Sequence, residues 1–174
     1  KPRIYVVFAV FILVCAVFVL QLIKEHALGS VWVNPRAHHF EEIMAKVKQA
    51  ADYPILIFTD AESGLGDYTI GKHNALGVTD SEELAYMFGK VTAINAVKMG
   101  YNVVCNPILD ISLSEGVAGS NIRSIGSDKH RIAALGKAMA RGMHDGGVLT
   151  VGKHYPSASK KTKVNGRAID SHMA

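Results

Sequence analysis

Cysteine is scarce in this chain: with two in 174 residues, no disulfide framework is available to hold a small scaffold together. Cys15 lies in an apolar run and Cys105 in an expected strand, so both read as small core or lipid-facing residues. Metal spacing is absent too. The eight histidines include no H-x-x-x-H pair and the sequence has no C-x-x-C, so no metal is expected. No loop reads G-x-x-x-x-G-K-[ST], and the stretch from Gly64 to Gly71 lacks the spacing of a dinucleotide fingerprint. No cofactor is expected. Aromatic residues make up only 7%, and few of them lie beside basic ones, as base stacking would need. The net charge of +4 is scattered apart from Lys160, Lys161 and Lys163, so nucleic acid is not an expected partner. What remains is ordinary for a globular chain, with 49% hydrophobic and 20% charged residues, enough for one domain with a real core.

One apolar run stands apart. From Ile4 to Leu20 the only polar side chain is Tyr5, and the run resumes at Leu22 and Ile23. That is about the 20 residues a helix needs to cross a bilayer. Lys1 and Arg3 precede it, which favours a cytoplasmic N-terminus and an exported remainder. No small-x-small cleavage site follows. Residues 1–23 are therefore expected to be a membrane anchor on an extracytoplasmic protein. The alternative is a degraded first strand and helix of a cytoplasmic one.

From residue 24 on, short apolar runs alternate with amphipathic helices. Strands are expected near 31–33, 55–59, 102–106 and 148–152. Asn34-Pro35 reads as a helix start, with apolar periodicity through Phe40, Ile43, Met44 and Val47. A glycine-rich loop leads to Asp80-Ser81-Glu82-Glu83, whose first and last residues have capping-box spacing. That helix should stop at Gly100, and another, capped by Ser127 or Asp128, should end near His144. Strict strand–helix alternation predicts an α/β fold of parallel (β/α) units. Asp60, Asp110 and the Lys153-His154 pair follow three of these strands, on the rim where barrel sites form. Four strands make about half of such a TIM-type barrel.

The chemistry-bearing residues are individually weak signals. Asp170 and His172 are two apart, so on an extended segment both side chains face one way. The carboxylate could then fix the imidazole tautomer and leave its other nitrogen as acid or base. Arg123 sits on a loop before a helix, and Lys153-His154 at a strand end. The segment between Ser157 and Ala168 offers little apolar surface and carries a lysine cluster, so it is expected to be a flexible tether.

Their order is more informative. Asp60-Ala61-Glu62-Ser63-Gly64, Asn106-Pro107-Ile108-Leu109-Asp110, Arg123-Ser124-Ile125-Gly126-Ser127-Asp128, Lys153-His154-Tyr155-Pro156 and Asp170-Ser171-His172 together resemble glycoside hydrolase family 3. The likeness is to its N-terminal barrel domain, from about residue 22 to 174, and to the bacterial β-N-acetylglucosaminidase branch in particular. The resemblance implies hydrolysis of terminal β-linked N-acetylglucosamine by a retaining mechanism. It implies that Asp60, Arg123, Lys153 and His154 bind the sugar hydroxyls, with His172 as acid/base oriented by Asp170 on a mobile loop. Asp110 would hold the rim. The family's nucleophile is an aspartate on a later strand, which no residue here matches, and the lack of an initiator methionine points to a piece of a longer protein. A β-glucosidase or xylosidase of the same family, and a membrane-anchored carbohydrate-binding relic, are the competing expectations.

Overall fold

In a computed structural model, the structure describes residues 16–65, 68–112, 123–154, 161–164 and 167–170. The chain forms two compact units, Lys1–Ile57 and Phe58–Ala174.

In the first unit, residues 16–24 are helical (α1), followed by strand β1 (Ser30–Trp32) and helix α2 (Phe40–Ala50). Helix α2 buries Met44, Val47 and Ala50, three apolar positions three apart that share one face. The helix does not start at Pro35 as the Asn-Pro signal suggests. The Asn34 side chain instead accepts from the backbone N–H of Arg36 at 2.9 Å, a local turn, and His39 at φ 58° keeps the helix from beginning before Phe40. Among the described residues no helix is long and apolar enough to cross a membrane. Ile23 is fully buried, while residues 4–15 of the expected span lie outside the described residues.

Strand β2 (Leu56–Thr59) carries the chain into the second unit. There it pairs in parallel with β5 (Val103–Val104), and β5 pairs in parallel with β6 (Leu149–Thr150), in the order β2-β5-β6. The register sets Phe58 opposite Val103 and Val103 opposite Leu149, so the three strands end on one edge. Between β2 and β5 lie a short antiparallel pair, β3 (Gly64–Leu65) and β4 (Tyr68–Thr69), and helices α3 (His73–Thr79) and α4 (Glu82–Met99). Helix α5 (Lys129–Asp145) joins β5 to β6. An antiparallel hairpin, β7 (Lys161–Val164) and β8 (Arg167–Asp170), follows.

Helices α4 and α5 pack backbone to backbone. A Cβ on Gly89 would lie 2.0 Å from the Met139 carbonyl, and one on Gly142 would lie 2.0 Å from that of Tyr86. The stripe of α4 that carries Gly89 is small for the same reason: Ala85, Ala93 and Ala96 are buried along the helix with it, beside Phe88, Thr92 and Asn95. Each helix is capped by a side chain, Ser81 accepting from Leu84 N–H at 3.2 Å and Asp128 from Arg131 N–H at 2.8 Å. Asp80, the expected cap, has φ 51° and ends α3 instead.

Candidate active site

The parallel register decides which loops meet. Beyond β5 the chain runs on beside the segment after β6: Lys153 donates its N–H to Pro107 at 2.9 Å, and Leu109 donates to Lys153 at 2.6 Å. Leu109 also nests against the second unit's glycines, since a Cβ on Gly136 or Gly152 would meet it at 2.5 or 2.9 Å. On its other side the same segment is tied to the loop carrying Arg123. Ser112 N–H donates to Gly126 at 2.8 Å, and the fully buried Ser124 hydroxyl donates to the Asp110 carbonyl. Residues 108–112 are thus the hub that sets Lys153-His154 and Arg123 at one edge.

At that edge the side chains form two groups. Lys153 Nζ donates to Asp60 Oδ1 and, at 2.9 Å, pairs with Glu62 Oε1. Arg123 grips both oxygens of Glu62, through Nε at 2.6 Å and Nη2 at 2.5 Å, the bidentate geometry that a guanidinium fork allows. In the second group, His154 Nδ1 meets Asp110 Oδ2 at 2.6 Å, and the peptide between Lys153 and His154 is cis. Engaging Nδ1 leaves Nε2 as the ring nitrogen available to a ligand. The acid is held firmly: Asp110 is 3% exposed and also accepts the His154 backbone N–H at 3.4 Å.

The electrostatics follow from partial burial. Burial alone would raise the Glu62 pKa, but hydrogen bonds from Arg123 and Lys153, with their charges, hold it at about 2. The Lys153 pKa is raised: burial opposes its charge, and the bonds to Asp60 and Glu62 prevail. The Glu62 bond first of all raises Arg123. Burial, then the charge of Asp60, raises the Cys105 thiol beside the cluster.

All four expected sugar ligands, Asp60, Arg123, Lys153 and His154, therefore sit around the ends of the parallel strands. Glu62 joins them, a residue the sequence reading quoted but gave no role. Its signal was period two: on an extended segment Asp60 and Glu62 face the same way, and both reach Lys153. Asp110 holds His154. Asp170 ends strand β8, and His172 lies outside the described residues. The expected flexible tether contains a paired hairpin, whose register runs from Lys161↔Asp170 to Val164↔Arg167. Backbone ladder bonds hold such a ribbon together without an apolar anchor.

Chemically, the cluster of two carboxylates and two cations has no net charge. It presents acceptors and donors side by side. A phosphate would need an excess of donors; a ring of hydroxyls, each able to donate and accept, matches a balanced set. Among the described residues no group of three or more acidic, histidine or cysteine side chains could hold a metal ion.

The model of the glycosyl hydrolase family 3 N-terminal domain matches residues 18–172. A β-hexosaminidase from Tolumonas auensis is 26% identical over 148 residues, covering 78% of this chain and 44% of that protein. One from Pseudomonas aeruginosa is 36% identical over 97 residues, 55% of this chain and 26% of that protein. Among solved structures, a family 3 β-N-acetylglucosaminidase from Paenibacillus superposes with a TM-score of 0.73 at 28% identity, covering 83% of this chain and 30% of that one. The chain thus spans less than half the length of these relatives. With its parallel strands, its rim cluster and a match over most of its length, the chain belongs to glycoside hydrolase family 3, within the N-terminal barrel domain.

Proposed function

We propose that the rim cluster binds the terminal sugar of a β-linked N-acetylglucosaminide, and that the whole protein hydrolyses that linkage with retention. The observation that carries this is Lys153, shared between Asp60 and Glu62 while Arg123 closes on Glu62 from the other side. A sugar hydroxyl can take the place of Lys153 on Glu62 without leaving a charge unpaired, because Lys153 keeps Asp60 and Glu62 keeps Arg123. The names of the relatives, β-hexosaminidase and β-N-acetylglucosaminidase, support the substrate class.

In this reading Asp60, Arg123, Lys153 and His154 hold the hydroxyls. His172, oriented by Asp170, protonates the leaving oxygen and then activates water. The nucleophile comes from sequence beyond this chain. A β-glucosidase of the same family would have less use for Asp170-Ser171-His172.

Two measurements test it. Titration of this chain with N-acetylglucosamine, followed by amide NMR, should perturb Lys153, His154 and Arg123 above other residues. In the full-length protein, His172→Ala should lower kcat on 4-nitrophenyl N-acetyl-β-glucosaminide by about a hundredfold or more while KM moves little. No response to the sugar at the rim, or unchanged turnover in His172→Ala, would overturn the reading.

A further inference from the structure

The buried polar side chains of the second unit, among them Asn106, His73 and Ser124, are neutral apart from one. Asp110 is the exception, the one buried carboxylate among the described residues. A carboxylate shut away from water is costly to keep ionised unless close donors meet it. His154 supplies two, its ring Nδ1 at 2.6 Å and its backbone N–H at 3.4 Å. The backbone around this contact is clamped on both sides. Leu109 donates to the Lys153 carbonyl at 2.6 Å and Lys153 to that of Pro107 at 2.9 Å, while the buried Ser124 hydroxyl holds the Asp110 carbonyl. The His154 side chain is nevertheless 38% exposed, against 4% for that of Asp110. One edge of the imidazole thus meets a buried acid, and the ring still reaches the open rim.

We propose that Asp110 is a positioning residue of the sugar site, acting through His154: it keeps the ring proton on Nδ1 and so presents Nε2 as an acceptor, which selects the sugar by a hydroxyl that donates. The proposal rests on the rim cluster being the sugar site. An ionised carboxylate only accepts, so the nitrogen it meets carries the ring proton, and the other nitrogen of the neutral imidazole keeps a bare lone pair. That acceptor differs in kind from the carboxylates beside it. Asp60 and Glu62 also accept, but each is already held by Lys153, and Glu62 by Arg123 as well. A hydroxyl that donates to them competes with a cation, whereas one that donates to Nε2 competes only with water. His154 is therefore the point where the loss of a single hydroxyl proton is felt directly. Asp110 decides that a proton, and not a lone pair, is what the site asks for there.

The test follows the two ring nitrogens of His154 by nitrogen NMR in the full-length protein, and measures sugar binding on the same samples. In the wild type Nδ1 should give the signal of a protonated nitrogen and Nε2 that of a bare one. Asp110→Asn is the diagnostic variant. The His154 backbone N–H needs an oxygen on its side, so the amide turns its NH2 to the ring and makes Nδ1 the acceptor. The proton should move to Nε2 and the two signals should exchange character, which a role in packing alone would not produce. The dissociation constant for N-acetylglucosamine should rise about tenfold in that variant. Analogues in which each ring hydroxyl in turn is replaced by hydrogen or by fluorine give the second readout, because fluorine accepts weakly and never donates. At one position both replacements should weaken wild-type binding about tenfold, and that loss should vanish in Asp110→Asn. A protonated Nε2 in the neutral wild-type ring overturns the proposal, as does an unmoved tautomer in folded Asp110→Asn. So does an analogue series with no position that loses binding to both replacements. If the wild type ignores N-acetylglucosamine, the functional reading falls and the tautomer signals alone decide on Asp110. If Asp110→Asn does not fold, the wild-type spectra and the analogue series decide.

Discussion

Lys153, Asp60, Glu62 and Arg123 meet as charges at an edge open to water, whereas Asn106, His73 and Ser124 are neutral groups shut away from it. The Asp60 and Arg123 side chains are 49% and 44% exposed; Asn106 and Ser124 are not exposed at all. Screening weakens partly exposed ion pairs, Lys153 and Glu62 being 15% and 22% exposed, while an ill-satisfied buried group costs far more. The upper layer can therefore exchange its partners for a ligand at little cost, and the lower layer is what keeps the geometry. Binding and architecture are divided between them by depth.

The largest effect should come from disturbing the support of the lower layer. Gly77→Ala puts a methyl 1.7 Å from a backbone carbonyl that cannot swing aside as a side chain would. Overpacking of this kind costs about 3 kcal/mol or more, a drop of roughly 10 °C or more in a domain this size. Calorimetry checks it. A Gly77→Ala protein as stable as the wild type would mean that α3 is not pressed on the Ile125 backbone.

The two layers should also fail in different pH windows. His73 has its folded pKa lowered to about 4, so the unfolded chain binds its proton first as pH falls. Stability from keeping it neutral is whole above about 6.5 and drains between there and 4, by on the order of 3 kcal/mol. Glu62 is lowered to about 2, so its contribution is whole above its unfolded value of about 4.3 and is lost as pH falls through 2. Partial exposure trims it to about 1–2 kcal/mol. Denaturation at stepped pH should show the first loss vanish in His73→Leu and the second in Glu62→Gln. One merged transition below pH 4 in the wild type would break the division.

These layers were unequally legible in the sequence. The strands expected at 31–33, 55–59, 102–106 and 148–152 are found at Ser30–Trp32, Leu56–Thr59, Val103–Val104 and Leu149–Thr150, because continuous β-branched runs between turn residues admit few other states. The rim residues were legible because they follow those strands. The lower layer was not. His73 lies in a stretch read as a glycine-rich loop, and its seven-residue helix is too short to show periodicity. Glu62 acquires its role only when Arg123, sixty-one residues on, folds against it. The β7–β8 hairpin did leave a local trace: Asn165-Gly166 stands between Val164 and Arg167 in the sequence, the two-residue signal of a tight hairpin.

The smallest expected change in stability is the most informative about the upper layer. Arg123→Ala removes a bidentate pair, and by geometry alone that looks costly. Yet Arg123 is nearly half exposed, and Glu62 keeps Lys153 at 2.9 Å, so no buried charge is stranded. The loss should be about 1 kcal/mol or less, a few degrees at most in the thermal midpoint. Sugar binding should suffer far more. Without the guanidinium, Glu62 and Asp60 share one cation, and the balanced set of donors becomes net acidic. The dissociation constant for N-acetylglucosamine should rise at least about tenfold, the loss expected when a charge-assisted bond disappears. Thermal unfolding and titration on the same preparation separate the two quantities. If Arg123→Ala lowered stability by several kcal/mol and left binding alone, Arg123 would belong to the architecture, and the division by depth would be wrong at the residue where it is most exposed to test.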